Sequence, residues 1–207
     1  NTLALNQVSM SVMQGDIYGF IGENGAGKTT MIRLLTGLAE PTTGKIALFG
    51  ESNKKLAKQR ERIGCIIESP SLYLDMTAYE NLEVQRLQRG IPGKGCIDNA
   101  LALVGLKDTG KKKAKDFSLG MRQRLALAIA LLGNPEFLVL DEPINGLDPT
   151  GIIELRNLLK RLNKERGITI LISSHILTEL HQLANRYGIL HAVSYTHLRA
   201  HETEADL

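Results

Sequence analysis

A glycine-rich segment near the amino end carries the residues best suited to chemistry. Its sequence, Gly22-Glu-Asn-Gly-Ala-Gly-Lys-Thr29, matches the pattern G-x-x-x-x-G-K-[ST]. An apolar run precedes it and an amphipathic segment follows it, which predicts a strand, a tight turn and a helix. Glycines permit the turn, and the helix amino terminus is positively polarised, so backbone N–H groups of such a loop can surround phosphate oxygens. The segment therefore predicts a phosphate-binding loop.

The loop also offers a cation and a hydroxyl for a nucleotide. Lys28 is expected to reach the β- and γ-phosphates, and the Thr29 hydroxyl is expected to ligate Mg²⁺. The other residues expected to line the nucleotide are Asn24, Gly25, Ala26, Gly27 and Thr30.

Two carboxylates follow another apolar run. Residues 137–140 predict a strand buried on both faces, and Asp141 and Glu142 come directly after it. Ligands bind at the carboxyl edge of parallel sheets, so both side chains are expected beside the phosphate loop. We expect Asp141 to hold Mg²⁺ through water and Glu142 to be the general base for the attacking water. Alone, the pair could simply cap a helix; the presence of Lys28 favours the catalytic interpretation.

The elements around these residues alternate between short apolar runs and longer amphipathic segments. Strands are predicted at 17–21, 46–49, 63–67, 137–140, 168–172 and 187–191. Helices are predicted after the phosphate loop, at 150–164 and at 177–185. This alternation predicts an α/β fold whose sheet has a parallel centre. Together with the phosphate loop, it leads us to expect a P-loop NTPase core with a mixed, mainly parallel sheet. Between about residues 76 and 132 the pattern is helical throughout, which predicts an inserted helical subdomain.

The predicted domain division follows from that pattern. Residues 1–75 and 133–192 form the P-loop ATPase core, and residues 76–132 form the inserted subdomain. The last fifteen residues, 193–207, have no apolar periodicity, and VSYTHLRAHET resembles the in-frame translation of a transposase-type sequencing adapter. We therefore expect residues 193–207 to be a non-native tail outside the fold, with a natural polar tail as the alternative.

Composition narrows the class of protein. The chain has 207 residues, 43% apolar and 23% charged, which suits a globular domain with a sizeable core. Aromatic residues make up 4% and Trp is absent, so there is no support for a single-stranded nucleic-acid binder, and no nucleic-acid partner is expected. No apolar stretch approaches the roughly 20 residues that span a bilayer, and no secretory signal opens the chain, so a cytoplasmic location is expected.

The segment Asp116-Phe-Ser-Leu-Gly-Met-Arg-Gln-Arg124 gives the chain its resemblance to the ABC transporter ATPases. It corresponds to the signature motif of that family and precedes the acidic strand by the family's typical spacing. In the family, Ser118 and Gly120 at the following helix amino terminus face the γ-phosphate held by the opposite subunit. A capped helix end with a glycine is a suitable anion site. The resemblance implies ATP and Mg²⁺ as cofactors and a second ATPase subunit, identical or a paralogue, as a partner.

Two further segments match the family. Residues 145–149 look like the loop that crosses the dimer interface, with Asp148 as its key carboxylate. His175, after another predicted strand, is similar to the switch histidine that contacts the γ-phosphate. The resemblance thus implies catalytic roles for Lys28, Glu142 and His175.

The chain departs from the family pattern at three places. The aromatic residue that stacks on adenine is expected just before Asn1, with Tyr18 a poor substitute. The signature has Leu119 and Met121 where the consensus has Gly and Gln. Glu68, expected to reach Mg²⁺, stands where most members carry Gln. Glu at that position with this form of signature resembles the bacitracin and lantibiotic export or immunity subgroup.

The resemblance implies a transport ATPase. Two subunits would sandwich two ATP molecules, dimer closure would drive an integral membrane permease, and hydrolysis would reset it. The protein is then expected on the inner face of the cell membrane through its permease, exporting a peptide antibiotic or another amphipathic compound. A soluble ABC ATPase acting on ribosomes or DNA is the alternative, which the single cassette and compact insert disfavour. A nucleotide-binding module without turnover is disfavoured by Glu142 and His175.

Overall fold

The computed structural model describes residues 4–68, 71–191 and 194–199. Its strands are β1 Ile17–Gly22, β2 Ala47–Leu48, β3 Glu51–Ser52, β4 Ile63–Ile66, β5 Phe137–Leu140, β6 Thr169–Ser174, β7 Arg186–His191 and β8 Ser194–Arg199. Six of them form one sheet in the order β4-β5-β6-β1-β7-β8, while β2 and β3 pair only with each other. Neighbours from β4 to β7 are parallel, and β8 is antiparallel to β7. The predicted mixed, mainly parallel sheet is confirmed.

Seven α-helices accompany these strands in the described ranges. They are α1 Lys28–Thr36, α2 Leu56–Arg60, α3 Ala78–Gln88, α4 Gly95–Leu103, α5 Leu119–Leu131, α6 Pro149–Arg166 and α7 Leu177–His181. Local sequence explains several of their ends. Thr77 and Glu80 form a reciprocal capping box at α3, and Ser118 caps α5. Gly167 ends α6 in a left-handed conformation that an L side chain rarely adopts. None of the described helices is both long and apolar enough to cross a bilayer.

The helical segment shares its core with the sheet. Buried side chains of α3, α4 and α5 belong to the same apolar cluster as those of β5, β6 and α6. At the sheet edge α5 lies close against β4, where the position of a Cβ on Gly64 is 2.2 Å from the Ala130 carbonyl oxygen. The division at residues 76 and 132 therefore stays a prediction about sequence organisation.

Three sequence predictions about elements differ from the structure. The expected strand at 46–49 shrinks to β2, which turns through left-handed Phe49 and Gly50 into β3 rather than joining the main sheet. The helix expected at 177–185 ends at His181. The helix does not continue to Asn185, because that residue is bound to β1 instead. The Asn185 N–H donates to the Ile17 carbonyl at 2.9 Å, and its Oδ1 accepts from the Ile17 N–H at 3.0 Å. These two hydrogen bonds hold Asn185 against the start of β1.

The third correction concerns the tail. Residues 193–207 were expected outside the fold, but β8 pairs antiparallel with β7 from Arg186↔Arg199 to His191↔Ser194. The free edge of β7 offers backbone donors and acceptors to any extended segment that follows it. The rest of the predicted tail lies outside the described residues, and its non-native origin stays a prediction.

Candidate nucleotide-binding site

The phosphate loop has the predicted context. Strand β1 runs into Gly22, and α1 begins at Lys28. Gly25 and Gly27 adopt φ angles of 85° and 106°, in the left-handed region that favours glycine. A Cβ on Gly27 would also lie 2.6 Å from the Ala4 carbonyl oxygen, so this glycine is required for space as well as for conformation.

Lys28 points its ammonium group into the loop. The residue is 5% exposed, and Nζ donates to the carbonyl oxygens of Gly22 at 2.6 Å and Glu23 at 3.1 Å. It also forms an ion pair with Oε1 of Glu142 at 3.1 Å. The buried charge therefore has three oxygen partners, which matches the three hydrogens of an ammonium group.

Asp141 is held by one hydroxyl on each carboxylate oxygen. Thr29 Oγ1 donates to Oδ2 at 2.8 Å, and Ser173 Oγ donates to Oδ1 at 2.6 Å. The aspartate is 4% exposed, and its backbone N–H donates to the Ile66 carbonyl at 2.8 Å. The structure thus brings together Thr29 and Asp141, the hydroxyl and carboxylate oxygens that were predicted around Mg²⁺. Hard oxygen donors of this kind fit that ion.

Glu142 lies between two basic groups. While Oε1 faces Lys28, Oε2 is 2.7 Å from Nδ1 of His175. The backbone at Glu142 is left-handed, with φ 47°, and its N–H donates to Ser173 Oγ at 2.9 Å. A cavity of about 90 Å³ opens beside this group and is also lined by Asn145 and Glu179. The three predicted catalytic residues therefore meet at one edge of the sheet.

The predicted signature residues lie together, apart from this cluster. Ser118 Oγ accepts from the Met121 N–H at 3.2 Å, and Asp148 Oδ1 accepts from the Gly151 N–H at 3.1 Å, so each caps a helix. Gly120 faces Leu147, whose Cδ2 is 3.9 Å from the position of an added Cβ. Over the described residues, no hydrogen bond or ion pair joins Ser118, Gly120 or Asp148 to the phosphate loop. One chain alone does not assemble the predicted complete site.

Two sequence expectations do not match the geometry. Tyr18 is fully buried in β1, so it cannot stack on adenine. Glu68 was expected at Mg²⁺, but its carboxylate is 60% exposed and pairs with the Arg33 guanidinium on α1 rather than joining Thr29 and Asp141. Its role as a metal ligand stays a prediction.

Sequence reasoning missed the part played by Ser173, which lies two residues before His175. The signal was present, because two serines at the end of an otherwise apolar strand are unusual in a buried position. The residue contacts both members of the acidic pair, as described above.

A glycine loop that opens a helix beside an acidic strand end defines the P-loop NTPase class. Comparison with known proteins gives the family: the ABC transporter model matches residues 5–145. The chain is 53% identical over 189 residues to the bacitracin transport ATP-binding protein BcrA of Bacillus licheniformis, covering 91% of this chain and 62% of that protein. It is 44% identical over 187 residues to the lantibiotic transport ATP-binding protein SrtF of Streptococcus pyogenes, covering 90% and 80%. The chain belongs to the ABC transporter family.

Solved structures agree with this assignment. CbiO1 from Clostridium perfringens, part of the ABC transporter complex CbiONQ, has a TM-score of 0.89 at 28% identity, covering 98% of this chain and 84% of that one. The dimeric ATP-binding cassette MJ0796 in a post-hydrolysis state, bound to ADP and Pi, has a TM-score of 0.80 at 26% identity, covering 95% and 91%. The chain spans 62% of the length of the BcrA relatives.

Proposed function

We propose that this chain binds ATP with Mg²⁺ and hydrolyses it as the ATP-binding subunit of a transporter. The observation that carries the proposal is the placement of Glu142 between Lys28 and His175, at the mouth of the phosphate loop. A carboxylate in this position can accept a proton from water, while the ammonium group and the loop N–H groups neutralise phosphate charge.

Binding begins with an exchange of partners at Lys28. Its ammonium group leaves Oε1 of Glu142 and one or both loop carbonyls and contacts the β- and γ-phosphate oxygens instead. Charge-assisted hydrogen bonds to phosphate are stronger than those to neutral carbonyls, which favours the exchange. It also frees Oε1 of Glu142 to accept a proton, so phosphate binding and activation of the base are linked.

In the hydrolytic step Glu142 takes a proton from a water molecule whose oxygen attacks the γ-phosphorus. The bond between that phosphorus and the β–γ bridging oxygen breaks, and ADP and inorganic phosphate leave. His175 holds Oε2 and so orients the carboxylate. Thr29 and Asp141 would hold Mg²⁺, which supplies positive charge to the β- and γ-phosphate oxygens. Glu68 would join the metal only after leaving Arg33.

The second proposal is a dimer. Ser118, Gly120 and Asp148 are expected to face ATP held by a second ATPase subunit, identical or a paralogue. Two observations support this: Leu119 at the start of α5 is 50% exposed, and the related cassette MJ0796 is dimeric. The inserted helical segment, residues 76–132, would supply the signature side of the interface.

The names of two relatives support a proposal about the transported compound. BcrA and SrtF are named for bacitracin and lantibiotic transport, so we propose export of a peptide antibiotic or another amphipathic compound. The chain would act at the inner face of the cell membrane through an integral permease. Action on ribosomes or DNA is the competing function. Purification of the tagged chain from membranes, with identification of a polytopic partner or of ribosomal proteins, separates the two.

The catalytic assignment is tested by Glu142→Gln. Loss of the general base should slow ATP hydrolysis roughly 100-fold or more, because general-base catalysis typically contributes 10²–10⁴. ATP binding should persist and trap an ATP-bound dimer, measured by gel filtration with ATP. Glu165→Gln, which changes an exposed carboxylate on α6, is the matched control. Hydrolysis by Glu142→Gln at the wild-type rate would refute the assignment.

A further inference from the structure

Ser173 occupies the position in β6 closest to the acidic pair. It is fully buried and is the last residue but one of β6. The three residues before it in the strand are Ile170, Leu171 and Ile172. A buried hydroxyl is costly unless it is hydrogen-bonded, and this one uses both its donor and its acceptor capacity.

The direction of its two hydrogen bonds is determined by chemistry. The backbone N–H of Glu142 can only donate, so Ser173 Oγ accepts it at 2.9 Å. The ionised carboxylate of Asp141 can only accept, so the hydroxyl proton goes to Oδ1 at 2.6 Å. One hydroxyl therefore fixes the Asp141 side chain and, through the N–H of Glu142, the peptide plane between the two acids.

That peptide plane decides where Glu142 points. Glu142 has a left-handed backbone with φ 47°, a conformation that residues other than glycine adopt only when their surroundings hold them there. From this backbone its carboxylate reaches both Lys28 and His175. Asp141 is anchored on its other oxygen by Thr29, a residue that is itself expected to bind the metal. Of the two hydroxyl groups that anchor Asp141, the one on Ser173 is therefore the one that is not itself expected to bind the metal.

We infer that Ser173 is a positioning residue that holds Asp141 and Glu142 in their working geometry. The inference rests on the proposed ATPase function. Ser173 is fully buried and its two hydrogen bonds go to the two acids, so it acts through them. Its loss should therefore lower the rate of the chemical step and leave ATP binding through Lys28 and the loop unchanged.

The test is steady-state Mg²⁺-dependent ATP hydrolysis by the purified chain. Ser173→Ala should lower kcat about 10- to 100-fold, since displacements near 1 Å at a catalytic group have effects of that size. KM for ATP should stay within about threefold, because ground-state binding is untouched. The Mg²⁺ concentration for half-maximal rate should rise. Ser173→Thr, which keeps the hydroxyl, should recover most of kcat, and Ser173→Cys replaces Ser173→Ala if the alanine variant is insoluble.

A matched control separates positioning from stability. Thr169 lies at the start of the same strand, is 8% exposed, and accepts the Gly15 N–H at 3.0 Å. Thr169→Val removes that buried hydroxyl far from the acids, so it should lower the melting temperature and leave kcat unchanged. Equal kcat for Ser173→Ala and Thr169→Val would overturn the inference. Different results would refute the proposed ATPase function itself. These are a wild-type chain without Mg²⁺-dependent hydrolysis, or a Glu142→Gln variant that retains it.

Discussion

Gly64→Ala tests the contact that joins the helical segment to the sheet. Gly64 lies in β4 beneath α5, and its φ is outside the left-handed region, so alanine is acceptable to its backbone. The new methyl group would nevertheless lie 2.2 Å from the carbonyl oxygen of Ala130 and 2.9 Å from Cδ2 of Leu138. Because the nearest atom is helix backbone, no change of rotamer relieves the contact. The α5 backbone must move by about 1 Å to restore a normal separation.

The size of the effect follows from what holds α5 in place. Leu125 and Leu127 on this helix are both fully buried, so a shift of α5 disturbs packing on more than one side. Overpacking a core typically costs about 1–3 kcal/mol, and a clash with backbone belongs at the upper end. We expect a loss of about 3 kcal/mol in the free energy of unfolding. For a domain of this size, that corresponds to a fall of about 6–12 °C in melting temperature.

Thermal unfolding followed by circular dichroism measures this change, with urea unfolding as a second measure. Gly95→Ala is the matched control, since Gly95 is the first residue of α4 and no atom lies within 4 Å of its added Cβ. That substitution should be neutral or stabilise by about 0.4–1 kcal/mol. If Gly64→Ala melts within about 1 °C of Gly95→Ala, α5 does not pack on β4 as described, and the shared core is refuted.

Two further predictions concern the nucleotide. Lys28→Ala should weaken ATP binding about 10- to 100-fold in a titration, because hydrogen bonds to charged groups contribute about 1.5–3 kcal/mol. Lys58→Ala, which changes an exposed residue of α2, should bind normally. Equal affinity of the two variants would contradict the role of Lys28. Glu68→Gln should keep hydrolysis within about tenfold, or about 1.4 kcal/mol in barrier, and raise the Mg²⁺ requirement, since a carboxylate is the better ligand for a hard cation. An unchanged Mg²⁺ dependence would leave Glu68 with only its exposed pairing to Arg33.

The parts of the fold that could be predicted are those whose signals are local. Strand β5 was predicted at its observed bounds because four apolar residues are cut off sharply by charged neighbours on both sides. Helix α3 likewise lies within the segment predicted to be helical, and Thr77 and Glu80 close its first turn by reciprocal hydrogen bonds. Such interactions involve residues three or four apart, so they are visible in the sequence before any tertiary contact is known.

Pairing between distant segments could not be predicted in this way. The run around Ile46 has the composition of a strand, but composition does not name a partner, and left-handed Phe49 and Gly50 turn β2 back onto β3. The same reasoning applies to β8, whose pairing with β7 depends on an available sheet edge rather than on its own periodicity.

The candidate site combines residues that local sequence predicts with a contact that depends on how two strands pair. The sequence predicts that Asp141 and Glu142 follow one strand and that Ser173 follows another, predicted at 168–172, but not which residues face each other. That depends on the register of β5 and β6, in which Leu140 pairs with Ile172. The next residue on each strand is then Asp141 on one side and Ser173 on the other, which sets up their hydrogen bond of 2.6 Å. A slip of one residue would turn the Ser173 side chain to the other face of the sheet. The buried apolar side chains that fix this register therefore also determine the geometry of the acidic pair.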